Sequence, residues 1–442
     1  MKPRDNHESP DFLKRLSPLL GAELEQFSAC LQDKPSRGMR VNPLKVQPQE
    51  LLSALPFAFE AVEWCPNGYL LRDGEELADM AGRHPYHHGG GYYLQEPSAM
   101  RPVELLAVKP GHRVLDLCAA PGGKSTQIGA ALKNQGLLVA NEVGGGRIKP
   151  LSENLDRLGI SCCIITNSSA ESLQAALPAW FDRVLIDAPC SGEGMFRRDQ
   201  AVRADWSLDK SARCQDIQQQ LLAAGAGLLR PGGLLVYSTC TFNHEENEAV
   251  IEAFTAAAPD FTVETVERYW PHRSAGEGQF AARLRKTSGS EGNTKPFPVS
   301  KPGRQSRALW QDFLTQHVNA RQNLGQSLNV RGDWLYAIPE AAPLMRGVRI
   351  VRAGVLLGEV RGARFVPSHA LSHQLPLHAF AHTRDLADEP DLAYRYLAGH
   401  PLPGFSSRDW TAVTWKSVVL GWGRDRQGVL KNHYPKGLRL LS

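Results

Sequence analysis

The chain of 442 residues is 42% hydrophobic and 22% charged with a net charge of +4, the composition of a folded protein with a large core and room for two to four domains. No apolar run reaches the roughly 18 to 20 residues of a membrane span, and the start is polar rather than signal-like, so a cytoplasmic protein with no membrane partner is expected. Eight cysteines with no Cys-x-x-Cys pair and no histidines at ligand spacing exclude a zinc pattern, and a chain this long needs no disulfide framework.

Residues 1–91 read as a small N-terminal α/β region. Phe12, Leu13, Leu16, Leu19 and Leu20 share one helical face, and His84-Pro-Tyr-His-His-Gly-Gly-Gly91 closes the region as a solvated loop. From 92 to 286 the pattern becomes regular. Apolar runs at 113–118, 137–142, 162–167, 183–187 and 234–239 are mostly free of alternation, as in parallel strands covered on both faces. Between them lie helical segments at 124–134, 145–158, 209–229 and 244–258, the last capped by Asn243 with Glu246 three residues on. Strand and helix repeated this way predict a doubly wound, Rossmann-like α/β domain.

A basic linker is expected over 287–321. Between 281 and 321 eight basic residues, Arg321 the last, stand against two acidic ones, so this stretch alone exceeds the net charge of the whole chain. It reads either as a solvated connection or as a phosphate-contacting arm. The remainder, 322–442, holds short strand-like pieces such as Val348–Val351, Val413–Trp415 and Val418–Leu420, forming one or two β-rich modules with a division near 372.

Ligands of such a sheet gather at the carboxyl ends of its strands. After the first strand comes Cys118-Ala119-Ala120-Pro121-Gly122-Gly123-Lys124-Ser125, a tight turn that opens a helix whose N-terminus favours an anionic group. The second strand ends in Glu142, placed to accept from ribose hydroxyls. The loop is neither a dinucleotide nor a Walker fingerprint. Together they suggest an adenosine without a pyrophosphate, which S-adenosylmethionine matches. Asp187 and Cys190 follow the fourth strand and Cys240 the fifth. Carbon 5 of cytosine becomes nucleophilic once a thiolate has added at carbon 6. A carboxyl holding a proton can serve N3, and a base must then remove the carbon 5 proton. Two cysteines and one aspartate meet these needs, with the division of labour between the thiols open.

The chain resembles the Nol/Nop/Sun-type RNA cytosine-5 methyltransferases. The resemblance is carried by CAAPGGKS at 118–125, by Glu142 with Arg147, Asn154 and Arg157-Leu-Gly159, by DAPCSGEGMFRR at 187–198 and by YSTCTFNHEENE at 237–248, with RVNPLK at 40–45 and YYLQEPSAM at 92–100. GEVRGARFVPSHAL at 358–371 and GWGRDRQGVLKNHYPKGLR at 421–439 are similar to the bacterial small-subunit ribosomal RNA methyltransferase F branch. That resemblance implies a cytosine of small-subunit (16S) ribosomal RNA as target, naked or in the assembled subunit, and RNA-binding terminal regions. It makes Cys240 the nucleophile and Cys190 the residue that assists release, with Asp187 touching the cytosine near the methyl donor. Residues 118–124, Glu142 and Arg147 would hold the cofactor. Ser169 falls where many members have an aspartate for the adenine, so that contact loses an ion-assisted bond.

Arg40, Asn42 and Lys45 are RNA contacts by resemblance alone. Phe196, Arg197 and Arg198 are either stacking and phosphate groups or an ordinary amphipathic turn. Trp415, Trp422, Lys431, His433, Tyr434 and Lys436 are either a nucleic-acid surface or, for the tryptophans, core. A monomer is the simplest expectation. Competing readings are the same chemistry on transfer RNA and a non-catalytic assembly factor on a methyltransferase fold.

Overall fold

Strands whose apolar runs are mostly free of alternation must be covered on both faces, and the central sheet is. The computed structural model describes residues 10–72, 80–318, 326–403 and 409–440. The polar start over residues 1–8 and the end of the basic stretch, Arg321 included, lie outside them. The five expected runs are β1 (Arg113–Asp116), β2 (Leu137–Asn141), β3 (Cys163–Thr166), β4 (Phe181–Asp187) and β5 (Leu229–Thr239). Leu115, Val139, Ile164, Val184 and Leu235 pack on one face against α3 (Ala170–Ala176) and α4 (Leu208–Leu228). Val114, Leu138, Ile165, Leu185 and Val236 pack on the other against α1 (Gly123–Leu132) and α2 (Ile148–Arg157). Each such buried Val, Leu or Ile contributes about 1.5–3 kcal/mol.

Two further strands, β6 (Phe261–Tyr269) and β7 (Gln279–Lys286), follow α5 (Glu248–Ala257), and with β8 (Ile350–Ala353) the sheet runs β6-β7-β5-β4-β1-β2-β3-β8. Strands β1 to β5 are mutually parallel, while β7 runs antiparallel to β5. The chain winds outward from β1 to β3, then restarts at β4 on the other side of β1. The crevice between the carboxyl ends of β1 and β4 is therefore the switch point where ligands bind.

Several expectations need correction. The piece read at Val348–Val351 is β8 (Ile350–Ala353), which pairs antiparallel with β3 and extends the central sheet rather than forming a separate module. Helix α5 starts at Glu248, not 244. Asn243 accepts from the Glu246 amide as a cap would, but the intervening residues form a turn whose polar side chains are drawn into a buried network. The basic stretch is no simple linker: Arg304–His317 is helix α6, burying Trp310 and Phe313. Arg283 and Arg285 lie in β7 and pair with Glu264.

The N-terminal sheet is antiparallel, with strands Phe59–Ala61, Gly68–Leu71, Gly38–Val41 and Tyr92–Leu94 in that order, the last lying beyond residue 91. Helix Pro10–Leu20 buries Phe12, Leu16 and Leu20, as the periodicity predicts. At the other end stand two β-sheets, one from Gln326 to Pro367 and one from Thr383 to Asn432. No helix among the described residues is long and apolar enough to cross a membrane.

The histidine-rich segment is not a solvated loop. His84 caps a helical turn, Pro85–His88, that is wedged between modules. Arg157 of α2 donates to the His87 carbonyl at 2.6 Å, and the His88 ring meets the Tyr434 hydroxyl at 3.0 Å. His369 and His373 lie within the same seam, ring to ring at 4.6 Å. Burial pushes His84 and His88 down to about 4 and His369 to about 3, with His87 and His373 also well below normal. These rings fold in the neutral form, so the unfolded chain binds more protons below about pH 6.5. Stability is complete above that pH and is lost as pH falls toward 4, by on the order of 1 kcal/mol per pH unit for each ring that stays neutral. Thermal unfolding between pH 7 and pH 5, above most carboxylate titration, should show a falling midpoint. A flat profile would remove the seam from this account.

Candidate active site

The crevice at the switch point is a cleft of about 360 Å³. Cys118, Ala119, Ala120, Pro121, Gly123 and Lys124 from the loop after β1 line it, with Asp187 at the end of β4 and Cys240 just beyond β5. Gly122 turns the loop with φ +108°; a side chain there would also press on Leu151, 3.2 Å away. Lys124 Nζ lies 2.7 Å from Asp187 Oδ2, and the Ser238 hydroxyl donates to Oδ1 at 2.8 Å. Burial pulls the Lys124 ammonium down, but Asp187 outweighs it and holds the group above its ordinary value, so it stays charged. Both Asp187 oxygens are acceptors here, and its side chain is a third exposed. The proton-holding carboxyl expected from the sequence is instead one half of an ion pair.

The thiols of Cys190 and Cys240 stand 3.3 Å apart. Their two loops are laced together. The Gly194 amide donates to the Cys240 carbonyl at 2.8 Å, and Ser191 and Thr241 join through their hydroxyls at 2.8 Å. Two carboxylates complete the clamp. Glu246 accepts from the Ser191 amide, the Ser211 hydroxyl and the Gln218 and Asn243 side chains at 2.7–3.0 Å. Glu193 accepts from the Phe242 and Asn243 amides at 2.8 and 3.0 Å. Both are fully buried, so each reaches across to the opposite loop with no competing water. The hydrogen bond to Cys240, and then burial, push the Cys190 thiol well up. Cys190 is thus held as a thiol. Sequence reading took Glu246 only for a helix-capping acid and passed over Glu193; an acid in each cysteine loop was the available signal.

The remaining site residues divide. Glu142 is buried at the end of β2 and accepts from the Gly144 amide at 2.7 Å and the Ala120 amide at 3.3 Å. Arg147 reaches Glu142 at 3.3 Å and the Ala120 carbonyl at 2.6 Å, bracing the loop from behind rather than lining the cleft. Ser169 caps α3, accepting from Ser172, and also lies outside the cleft lining.

Most of the expected RNA contacts are structural. Arg40 is 4% exposed and bonds Thr126, Gln127 and Gln95, fastening the N-terminal sheet to α1. Asn42 is 2% exposed and ties the Gly90 and Leu158 carbonyls, while Lys45 donates to the His373 carbonyl. Arg197 is buried against Glu277, and Phe196 packs on Phe12. Arg198 alone of the five expected basic or polar contacts is exposed at the cleft mouth. In the tail, Trp415, Trp422 and Tyr434 are core, whereas Lys431, His433 and Lys436 face solvent.

Comparison with known proteins agrees along the whole chain. Residues 103–285 match the family described as 16S rRNA methyltransferase RsmB/F, and 9–97 match the N-terminal domain of 16S rRNA methyltransferase RsmF. Residues 312–375 match the first C-terminal domain of RsmF rRNA methyltransferase, and 384–440 the PUA domain of methyltransferase RsmF. The ribosomal RNA small subunit methyltransferase F of Klebsiella pneumoniae (strain 342) is 35% identical over 97% of this chain and 95% of its own; that of Enterobacter sp. (strain 638) is 32% identical with the same coverage. A solved methyltransferase homolog from Pyrococcus horikoshii superposes with a TM-score of 0.54 at 30% identity, covering 63% of this chain and 99% of its own. NSun6 from Pyrococcus horikoshii, solved with SFG, shares the fold with a TM-score of 0.56 at 21% identity, over 64% and 99%.

Proposed function

Because the chain belongs to the ribosomal RNA small subunit methyltransferase F family of S-adenosylmethionine-dependent 16S rRNA methyltransferases, we propose that it methylates carbon 5 of a cytosine in small-subunit ribosomal RNA through a covalent adduct on Cys240. The observation that carries this reading is the pair of thiols, 3.3 Å apart beside the Lys124–Asp187 ion pair. Two features support the methyl donor: most of the loop over 118–124 lines the cleft at the N-terminus of α1, and Glu142, buried at the end of β2 just outside that lining, is an acid of the kind that takes ribose hydroxyls. When bound, S-adenosylmethionine supplies an electrophilic methyl group.

The Cys240 thiolate adds to carbon 6, forming the sulfur–carbon bond and moving the C5=C6 electron pair to carbon 5, the atom that would accept the methyl group as the donor's sulfonium–methyl bond breaks. Asp187, with both oxygens accepting, orients the Lys124 ammonium toward N3, where charge develops. Cys190 is kept protonated by its bond to Cys240. Once that sulfur is committed to carbon 6 the restraint is gone, and Cys190, only partly buried, gives its proton to solvent and becomes a thiolate. It then takes the carbon 5 proton; the electron pair reforms C5=C6 and expels Cys240 as thiolate. The target base must leave its stack to reach this cleft.

RNA is further engaged by a groove of about 350 Å³ where α6, the hairpin at 355–367 and the last sheet meet. Arg361, Arg364, Arg424, Arg426 and Lys431 line it against Asp312 and Asp409, with Arg424 over the Trp410 ring. Among the described residues only Arg361 of these cations has an ion pair, to Glu359. Such unneutralised charge attracts a phosphate backbone. Reversing two charges (Arg364→Glu with Arg426→Glu) should raise the KM for RNA about tenfold and lower its salt dependence by roughly two phosphates' worth, with kcat unchanged. An unaltered salt slope would exclude the groove.

An assembly factor that had lost catalysis would lack one of Lys124, Asp187, Cys190 or Cys240, and all four converge. The reading is tested with methyl-labelled S-adenosylmethionine and, separately, naked small-subunit RNA, assembled subunits and transfer RNA. Label is expected in 5-methylcytosine of a ribosomal sample. Label in transfer RNA alone would move the substrate, and none in any sample would sink the reading.

A further inference from the structure

Gln279 is 1% exposed, and its amide Nε2 has no hydrogen-bond partner. A buried amide without a partner is destabilising, so natural proteins leave few of them. This one lines the catalytic cleft together with Lys124, Asp187 and Cys240. Its polar neighbours are already committed: Glu277 to Arg197 and the Ser36 amide, Gln95 to Arg40 and the Ala99 carbonyl.

Strand register explains the placement. Strand β7 pairs Phe280 with Thr239 and Ala281 with Ser238. Residues opposed across antiparallel strands point to the same face, and successive residues alternate. One step on, Gln279 falls opposite Cys240, on the face that Ala281 shares with Val236. Because β5 lies between β7 and β4, Cys240 has Gln279 on one side and Asp187 with Cys190 on the other.

We propose that Gln279 is a base-reading residue whose amide donates a hydrogen bond to O2 of the target cytosine; this rests on the cytosine reading above. In a base joined to Cys240 at carbon 6, carbons 5 and 2 lie on opposite sides of the line from carbon 6 to N3. Cys190 must reach the hydrogen on carbon 5, which turns that edge toward β4. The carbonyl at carbon 2 then faces β7, where the unpartnered amide waits. Thiolate addition drives negative charge onto N3 and O2 together. The Lys124 ammonium answers the first and Gln279 the second, so its bond strengthens as the adduct forms.

The test uses Gln279→Met, which keeps the length and loses the donor, and Gln279→Glu, which keeps the shape and places an acceptor there. Single-turnover methylation at saturating RNA should fall about tenfold to a hundredfold in each, with the KM for RNA and cofactor affinity unchanged and the melting temperature of Gln279→Met no lower than that of the wild type. RNA carrying 2-thiocytosine at the target, a poor acceptor at that position, should slow the wild type about tenfold and slow Gln279→Met no further. Equal thio effects in both proteins, or a wild-type rate in both variants, would overturn the contact alone. A wild-type protein that makes no 5-methylcytosine would overturn the cytosine reading, and the contact with it.

Discussion

With Cys190→Ala, the protein is expected to remain covalently attached to its methylated RNA, visible as a complex that survives denaturing gels. The adduct forms because Cys240, the sulfur lining the cleft, is untouched. It persists because the group 3.3 Å from that sulfur, which would take the carbon 5 proton, is gone. Proton transfer of this kind contributes about 10²–10⁴-fold, and multiple turnover should fall by that amount. Cys240→Ala should form no adduct and no product, and the double variant should behave as Cys240→Ala does, since release cannot matter before attack. Both cysteines are only partly buried, so alanine should leave the fold intact. Exchanged phenotypes would reverse the two roles.

Glu246→Ala should have the largest effect on the fold. It strips the acceptor from four buried donors, on Ser191, Ser211, Gln218 and Asn243, and each orphaned group costs about 1–3 kcal/mol. With partial relaxation, urea unfolding should show a loss of about 3–5 kcal/mol at an unchanged slope. Activity in the folded fraction should also fall at least about 10²-fold, because reacting groups misplaced by an ångström lose about that much. Glu246→Gln retains an acceptor and should recover most of the stability. Wild-type stability in Glu246→Ala would show that the two loops are held by other contacts.

The central sheet was legible because its strands carry apolar runs mostly free of alternation, the signal of coverage on both faces. The cysteines and Asp187 were legible because they follow those strands, and the doubly wound topology brings strand ends together. What stayed hidden was three-dimensional. Arg40, Asn42, Lys45 and Arg197 look like surface cations and amides in a linear reading. Each is in fact consumed by a carbonyl or carboxylate far along the chain. Strand β8 joins the sheet from more than 180 residues beyond β3, a pairing that no local pattern encodes. Helix α6 lay concealed in a stretch whose basic and Gly/Pro content masked the apolar spacing of Trp310 and Phe313. Glu193 and Glu246 have meaning only across two loops that the sheet places side by side.

The most direct measurement pairs the wild-type protein and S-adenosylmethionine with small-subunit RNA carrying 5-fluorocytosine, whose fluorine cannot leave as a proton does. The complex should stall after methyl transfer. Digestion and mass spectrometry should then find one methylated fluorocytosine nucleotide attached to the peptide that contains Cys240. Attachment through Cys190, or a labelled RNA with no protein attached at any position, would contradict the account.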